Sequence, residues 1–412
     1  MEPKPYFPRL PPRALFWSKP VPRLDCMEIA PIDRLQPLSS KHLVLIAQIA
    51  FFPTGILTTL LGPMLPLLIA RWTLNDTQAG NLFLIQFLSS VAGVQLSGVL
   101  LSRLGFRPAF LAGLLLMAAG AATLYAGPVW LGMASVSVYG LGLGFIVPTD
   151  SLLIAEISPE SRTSAVSLLN FFWGVGAVSC SLSVAWAAAH KLLPFFLGAV
   201  SLFLVALALA MRGLPFPAAA TAEDRPLPWR QIARSPVFWL FAAVFFLYPG
   251  AETAVGGWIG SYVSRLGPRE ATMAPLMPAF FWAALTVGRA FGTLFLSYVP
   301  EQRVLRTGFA TGSAGIVLML WPSTLAGVIA GALVTGLSFA ALYPITVARL
   351  SQRFGITARS IGALMFSLAS IGPAVISWLV GITSQATGSL RTGLALPLGA
   401  TVILLLIHLR EW

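Results

Sequence analysis

The segment YGLGLGFIVP, residues 139–148, holds glycine, aliphatic and aromatic residues and one proline, and no charge. TGLSFAALYP, residues 335–344, repeats its landmarks: Gly140-Leu141 falls on Gly336-Leu337 and Pro148 on Pro344. The same shift of 196 positions places Phe52-Pro53 on Tyr248-Pro249, Arg107 on Arg303, Ser164 on Ser360 and Gly176 on Gly372. Matched aliphatic residues mean little in an apolar chain. Matched glycines and prolines weigh more, because each marks a requirement of the backbone rather than mere apolarity. The chain reads as two related halves in tandem.

What surrounds those segments fixes the solvent. Of the 412 residues, 57% are hydrophobic and 10% charged, and the mean hydropathy is +0.83. A water-soluble domain carries about 25% charged residues. Apolar runs recur from residue 43 to residue 409, each near the roughly 20 residues that cross a bilayer as a helix. A transmembrane barrel would show alternating segments of about 10 residues, and none is present. The sequence predicts an all-α membrane protein with spans near 43–70, 78–101, 108–127, 129–155, 164–187, 193–211, 237–260, 275–298, 304–321, 325–348, 360–383 and 392–409. Pro53, Pro63, Pro148, Pro249, Pro344 and Pro373 fall inside these spans and are expected to kink them.

The net charge of +12 does not point to nucleic acid, because the basic residues sit in short loops and in the tail. With the N-terminus inside, most of the 26 Lys and Arg lie on the cytoplasmic side. That asymmetry predicts both termini in the cytoplasm and an inner (plasma) membrane location. Residues 1–41, proline-rich and without the apolar core of a signal peptide, are expected to form a flexible cytoplasmic tail, with Met27 as an alternative start. Residues 42–212 and 237–412 are expected to form two six-helix bundles joined by a cytoplasmic linker at 213–236. The two cysteines, Cys26 and Cys180, give no disulfide framework or metal spacing, and no cluster suggests a cofactor.

The connection GVLLSRLGFRPAF, residues 98–110, resembles the signature between the second and third helices of the major facilitator superfamily. Gly98, Leu100, Arg103, Gly105 and Arg107 match it, while Ser102 stands where that signature usually has aspartate. LYPGAETAVGGWIGSYV in the seventh span, FFWAALTVGRAFG in the eighth, LYPITVA in the tenth and GITSQATGSLRTGLALPL near the end resemble the fucose:proton symporter-like branch of that superfamily. The resemblance implies twelve helices in two pseudo-symmetric six-helix bundles with the binding site at the midplane between them. It also implies alternating-access transport, often proton-driven, with small polar solutes such as sugars as the commonest cargo.

Glu252 lies in the middle of the seventh span. A carboxylate at membrane depth costs at least about 2.5–3.5 kcal/mol, so it is normally paired, protonated or turned toward a wet cavity. Tyr248 and Gly256, four residues to either side, share its helix face. Arg289, in the middle of the eighth span with Trp282 and Leu285 on its face, is the candidate partner. The pair reads either as a static tie between two helices or as a switch made and broken during transport. Asp150, in the fourth span, is a second candidate protonation site or a vestibule residue neutralised by Arg103 or Arg162, and the vestibule is the expectation. Gln86 with Ser89, Ser90, Gly93 and Ser97, and Asn170 with Gly174, Ala177 and Ser181, form polar stripes that line a cavity or pack helices. Gln86 and Asn170, with the rings of Tyr248, Trp258, Trp282 and Tyr343, are the candidate substrate contacts.

The sequence therefore predicts a monomeric, proton-coupled carrier of a small polar solute, with a sugar first. The alternative within the class is an exporter of amphipathic compounds. A polytopic enzyme would need clustered acidic or histidine residues. His42, His190 and His408 lie at separate helix ends, and no acidic cluster is present.

Overall fold

The computed structural model describes residues 37–158, 162–217, 232–296, 299–354 and 358–410. Most of the predicted tail, and residues 218–231 of the predicted linker, lie outside them. From Leu38 onward the chain forms one compact unit. Among the described residues every regular element is helical.

Among the described residues twelve long helices, two of them interrupted, follow one another, with short helical turns at Pro268–Ala271, Ala274–Leu276 and Leu390–Gly393. The first bundle contains α1 (Pro37–Thr59 continued by Leu61–Trp72), α2 (Asp76–Leu104), α3 (Phe106–Thr123), α4 (Val129–Ile157), α5 (Arg162–Ala189) and α6 (Leu193–Met211). The second contains α7 (Pro236–Val263), α8 (Met277–Leu296), α9 (Glu301–Leu320), α10 (Leu325–Phe339 continued by Leu342–Phe354), α11 (Ala358–Thr387) and α12 (Ala395–Leu409). Ten helical stretches among them are long and apolar enough to cross a membrane, the last counted from Leu390 to Leu409. At the start of α9, Glu301, Arg303 and Arg306 lower the hydropathy. Helix α1 starts at Pro37, a few residues before the predicted end of the tail.

The prolines act in two ways. Pro53, Pro148, Pro249 and Pro373 lie within continuous helices. Pro63 and Pro344 instead follow breaks in α1 and α10. A proline lacks the N–H that would bond to the carbonyl four residues earlier. The carbonyls so released are those of Thr59 and Ala340, where the two helices are interrupted. Regular bonding resumes at once, from Met64 N–H to the Leu60 carbonyl and from Ile345 N–H to the Ala341 carbonyl. Three hydroxyls of α1 turn back onto its backbone: Thr54, Thr58 and Thr59 donate to the carbonyls of Ala50, Thr54 and Gly55. That satisfies them without water.

Capping fixes the ends of α2. The Asn75 side chain accepts from the Gln78 N–H at 2.8 Å, and the Gln78 side chain accepts from the Asn75 N–H at 3.0 Å, a reciprocal capping box. At the other end Gly105 adopts φ +84°, a left-handed conformation that favours glycine, and α3 starts at the next residue.

The repeat seen in the sequence is a repeat of helix contacts. Helix α2 packs on α4, α3 on α4 and α3 on α6; six helices on, α8 packs on α10, α9 on α10 and α9 on α12. A side chain on Gly140 would meet the Gln86 carbonyl of α2, and one on its counterpart Gly336 would meet the Phe281 carbonyl of α8. A side chain on Gly176 of α5 would meet the Phe52 carbonyl of α1, and one on Gly372 of α11 would meet the Phe246 carbonyl of α7. Small residues let helix backbones approach this closely, which is how helices associate where lipid removes the hydrophobic drive between them. The matched glycines therefore mark equivalent crossings in the two halves.

The bundles meet through α2 with α11, α5 with α8, and the second segment of α1 with α7. The first two pairs are counterparts under the pseudo-symmetry. At one end of the molecule this junction is polar. Asp76 accepts hydrogen bonds from both terminal nitrogens of Arg265, one of them at 3.0 Å, and from the Ser384 hydroxyl at 2.5 Å. Its own N–H donates to the Gln385 side chain at 3.1 Å, and the Trp378 indole donates to Asn81 at 2.9 Å. Near the other end of α2, Gly98 faces open space.

Candidate functional site

Glu252 and Arg289 come together where α7 and α8 face α5. Arg289 Nη2 lies 3.6 Å from Glu252 Oε2, and both side chains are largely buried. The Tyr248 hydroxyl, one turn away on α7, donates to that same carboxylate oxygen and reaches the Phe339 carbonyl at 2.9 Å. Tyr343 of α10 stacks on Tyr248 with ring centroids 6.3 Å apart. Gly256 leaves room for the indole of Trp282, the nearest atoms to a side chain built there. The sequence-level grouping of Tyr248, Glu252 and Gly256 on one face thus coincides with a cluster closed by Arg289, Trp282 and Tyr343.

The first bundle covers this cluster with Trp173 of α5, a residue absent from the candidate set. Its ring lies 5.7 Å from the Arg289 guanidinium carbon, a cation–π contact, and 5.6 Å from the Trp282 ring in an edge-on arrangement. The Trp173 indole donates to the Thr58 hydroxyl of α1 at 3.4 Å. Beside it, Gly174 lies against Thr286 of α8. The predicted stripe on α5 is therefore partly a seam with the other half.

The remaining candidates are placed elsewhere. Gln86 is buried, donating to the Thr58 carbonyl at 2.9 Å and accepting from Tyr139 at 3.0 Å, so its amide is engaged within the first bundle. Its link to the cluster runs through Thr58, which also accepts from Trp173. Along its stripe, Gly93 packs against Leu141 and Gly144 of α4, and Ser89 bonds Ser137. Asn170 is exposed and donates back to the Val166 carbonyl of its own helix. Trp258 is fully buried; its indole donates to the Ser377 carbonyl at 3.0 Å and its ring contacts Phe83, so it ties the bundles together.

Asp150 requires a correction. It does not sit in an open vestibule beside Arg103: it is wholly buried, neither carboxyl oxygen has a hydrogen-bond partner among the described residues, and Arg103 is exposed, while the side chain of Arg162, the other expected partner, lies outside the described residues. The helix face that carries Asp150 also carries Gly142, Ile146 and Leu153, which turn it into the bundle. Arg103, Gly105 and Arg107 line a surface hollow of about 690 Å³ together with Leu214, Phe216 and two prolines, remote in the chain from the Glu252 cluster.

Two related bundles of membrane-length helices, with an ion pair and aromatic rings set at their junction, fit the build of a membrane transporter. Residues 48–377 match the model of the Major Facilitator Superfamily, and the chain belongs to that family. A glucose/galactose transporter of Brucella abortus is 26% identical over 375 residues, covering 82% of this chain and 86% of its own. The Escherichia coli fucose:proton symporter FucP superposes with a TM-score of 0.64 at 18% identity, over 90% of this chain and 98% of that one. The nucleoside transporter NupG superposes with a TM-score of 0.73 at 13% identity, over 89% and 99%. The fold is shared with both.

Proposed function

We propose that this protein is a proton-coupled secondary transporter of a small polar solute, a sugar first, working by alternating access. The observation that carries the reading is the Glu252–Arg289 pair, held by Tyr248 and covered by Trp173 from the opposite bundle. A carboxylate with an arginine in reach switches between two states: ionised and attracted to it, or protonated and released. Because Trp173 belongs to the other half, release of Arg289 changes a contact between the halves and so links proton loading to their rocking. With both termini cytoplasmic, the Asp76–Arg265 end is the outer one, and its polar contacts tie the halves together there. The names of the relatives, a glucose/galactose transporter and a fucose:proton symporter, favour a sugar and a proton.

The test is a thermal-shift screen of the purified protein against sugars, sugar acids, nucleosides and amphipathic cations, since a ligand that binds the folded state raises its apparent stability. Uptake of the stabilising compound into proteoliposomes, driven by a proton gradient, follows. The expected result is stabilisation by a sugar-like compound and uptake that an uncoupler abolishes. Stabilisation by amphipathic cations alone would replace this reading with that of an exporter.

A further inference from the structure

Helix α8 presents a row of hydrogen-bond donors to the junction. Trp282, Thr286 and Arg289 recur at spacings of four and three residues and so share one face, spanning about 10 Å of helix. Trp282 Nε1, Thr286 Oγ1 and Arg289 Nε are all buried, and none has a hydrogen-bond partner among the described residues. Trp282 is 4% exposed. Buried polar atoms are nearly always paired, and three unpaired ones in a row on one helix face are a departure that calls for an explanation. All three lie at the seam with α5: Trp173 covers Trp282 and Arg289, and Gly174 faces Thr286.

The row is rich in donors. Trp Nε1–H and Arg Nε–H donate only, and a threonine hydroxyl can do so. The amides that ordinarily accept from sugar hydroxyls are turned elsewhere. Gln86 is bonded to Thr58 and Tyr139, and Asn170 is exposed and donates to its own helix. The matching chemistry is a group that accepts without donating. We infer that the substrate carries a carboxylate, seated on Trp282, Thr286 and Arg289, and that the cargo is a sugar acid rather than a neutral sugar. The inference rests on the proposed transport reading for the polyhydroxylated body and adds the acid. The titratable groups facing Arg289 are Glu252, Tyr248 and Tyr343. A proton on Glu252 leaves the arginine charge unmatched, and the substrate carboxylate neutralises it, so acid and proton enter together with no net charge moved.

D-galacturonate and D-galactose share one skeleton and differ at C6, and calorimetric titration of the full-length protein with each is the test. The expected result is binding of galacturonate at least about tenfold tighter than galactose. Trp282→Phe and Thr286→Val, which delete one donor each, should collapse that ratio toward one. Thr286→Val, which keeps the bulk, should keep the melting temperature of the ligand-free protein, since its hydroxyl has no partner to lose among the described residues. Equal binding of the two sugars, no binding of either, or variants that melt several degrees lower with the ratio intact would overturn the inference. Proton-driven accumulation of galactose, with galacturonate ignored, would also overturn it while leaving the transport reading standing. Benzoate binding as tightly as galacturonate would support the carboxylate seat and remove the sugar.

Discussion

Asp76, at the start of α2, is ion-paired with Arg265, just beyond the end of α7, and the pair bridges the two bundles. Ser384 of α11 shares the same carboxylate. Hydrogen bonds to a charged group contribute roughly 1.5–3 kcal/mol each, and Arg265 is part-exposed, which discounts its share. Asp76→Asn is therefore expected to weaken closure at that end by about 2 kcal/mol, roughly 30-fold in the closed-to-open ratio. Spin labels at the exposed Thr73 and Thr387 would report it as a new population at longer distance. An unchanged distribution would mean that the helix packing around Gly80 and Gly381 holds this end unaided.

The crossings at Gly176 and Gly372 are tested together. A methyl at either position meets a backbone carbonyl of the crossing helix, Phe52 or Phe246, which cannot turn aside as a side chain can. Gly176→Ala and Gly372→Ala are each expected to cost about 1–3 kcal/mol, measured as a lower melting temperature in detergent. Gly198 on α6 has nothing near it, and Gly198→Ala is expected to melt as the unaltered protein does.

Asp150 makes a different prediction. An ionised carboxylate with no partner in a sealed interior is far costlier than a neutral group. Asp150→Asn, which cannot ionise, is therefore expected to fold with unchanged or higher stability. Infrared difference spectra of the unaltered protein are expected to hold a protonated carboxyl band that this variant lacks. A melting temperature several degrees lower for Asp150→Asn would show that the carboxylate is charged and paired.

The sequence makes some of this legible and hides the rest for physical reasons. Helix number and the two-fold repeat are readable because bilayer thickness sets span length and because glycine and proline mark backbone constraints that survive a change of side chains. Glu252 and Arg289 stand out because a charge in an apolar span is costly. Asp76 reads as an ordinary helix start, since its partners Arg265 and Ser384 come from the other half of the chain. Trp173 and Thr286 are equally unremarkable until α5 and α8 are brought together. Gln86 reads as a substrate contact for its amide and Trp258 for its ring, but their polar atoms bond the backbone carbonyls of Thr58 and Ser377, to which the sequence gives no pointer. The breaks after Thr59 and Phe339 follow from Pro63 and Pro344, yet Pro53 and Pro249 leave their helices continuous, and composition does not distinguish the two cases.

Glu252→Gln in proteoliposomes addresses the coupling role of the carboxylate most directly. Glutamine keeps the size and hydrogen-bonding capacity of a protonated glutamate but cannot bind and release a proton. Counterflow exchange of substrate, which needs no net proton movement, should persist, while uphill accumulation driven by a proton gradient should vanish. Accumulation by Glu252→Gln as steep as that of the unaltered protein would contradict the account.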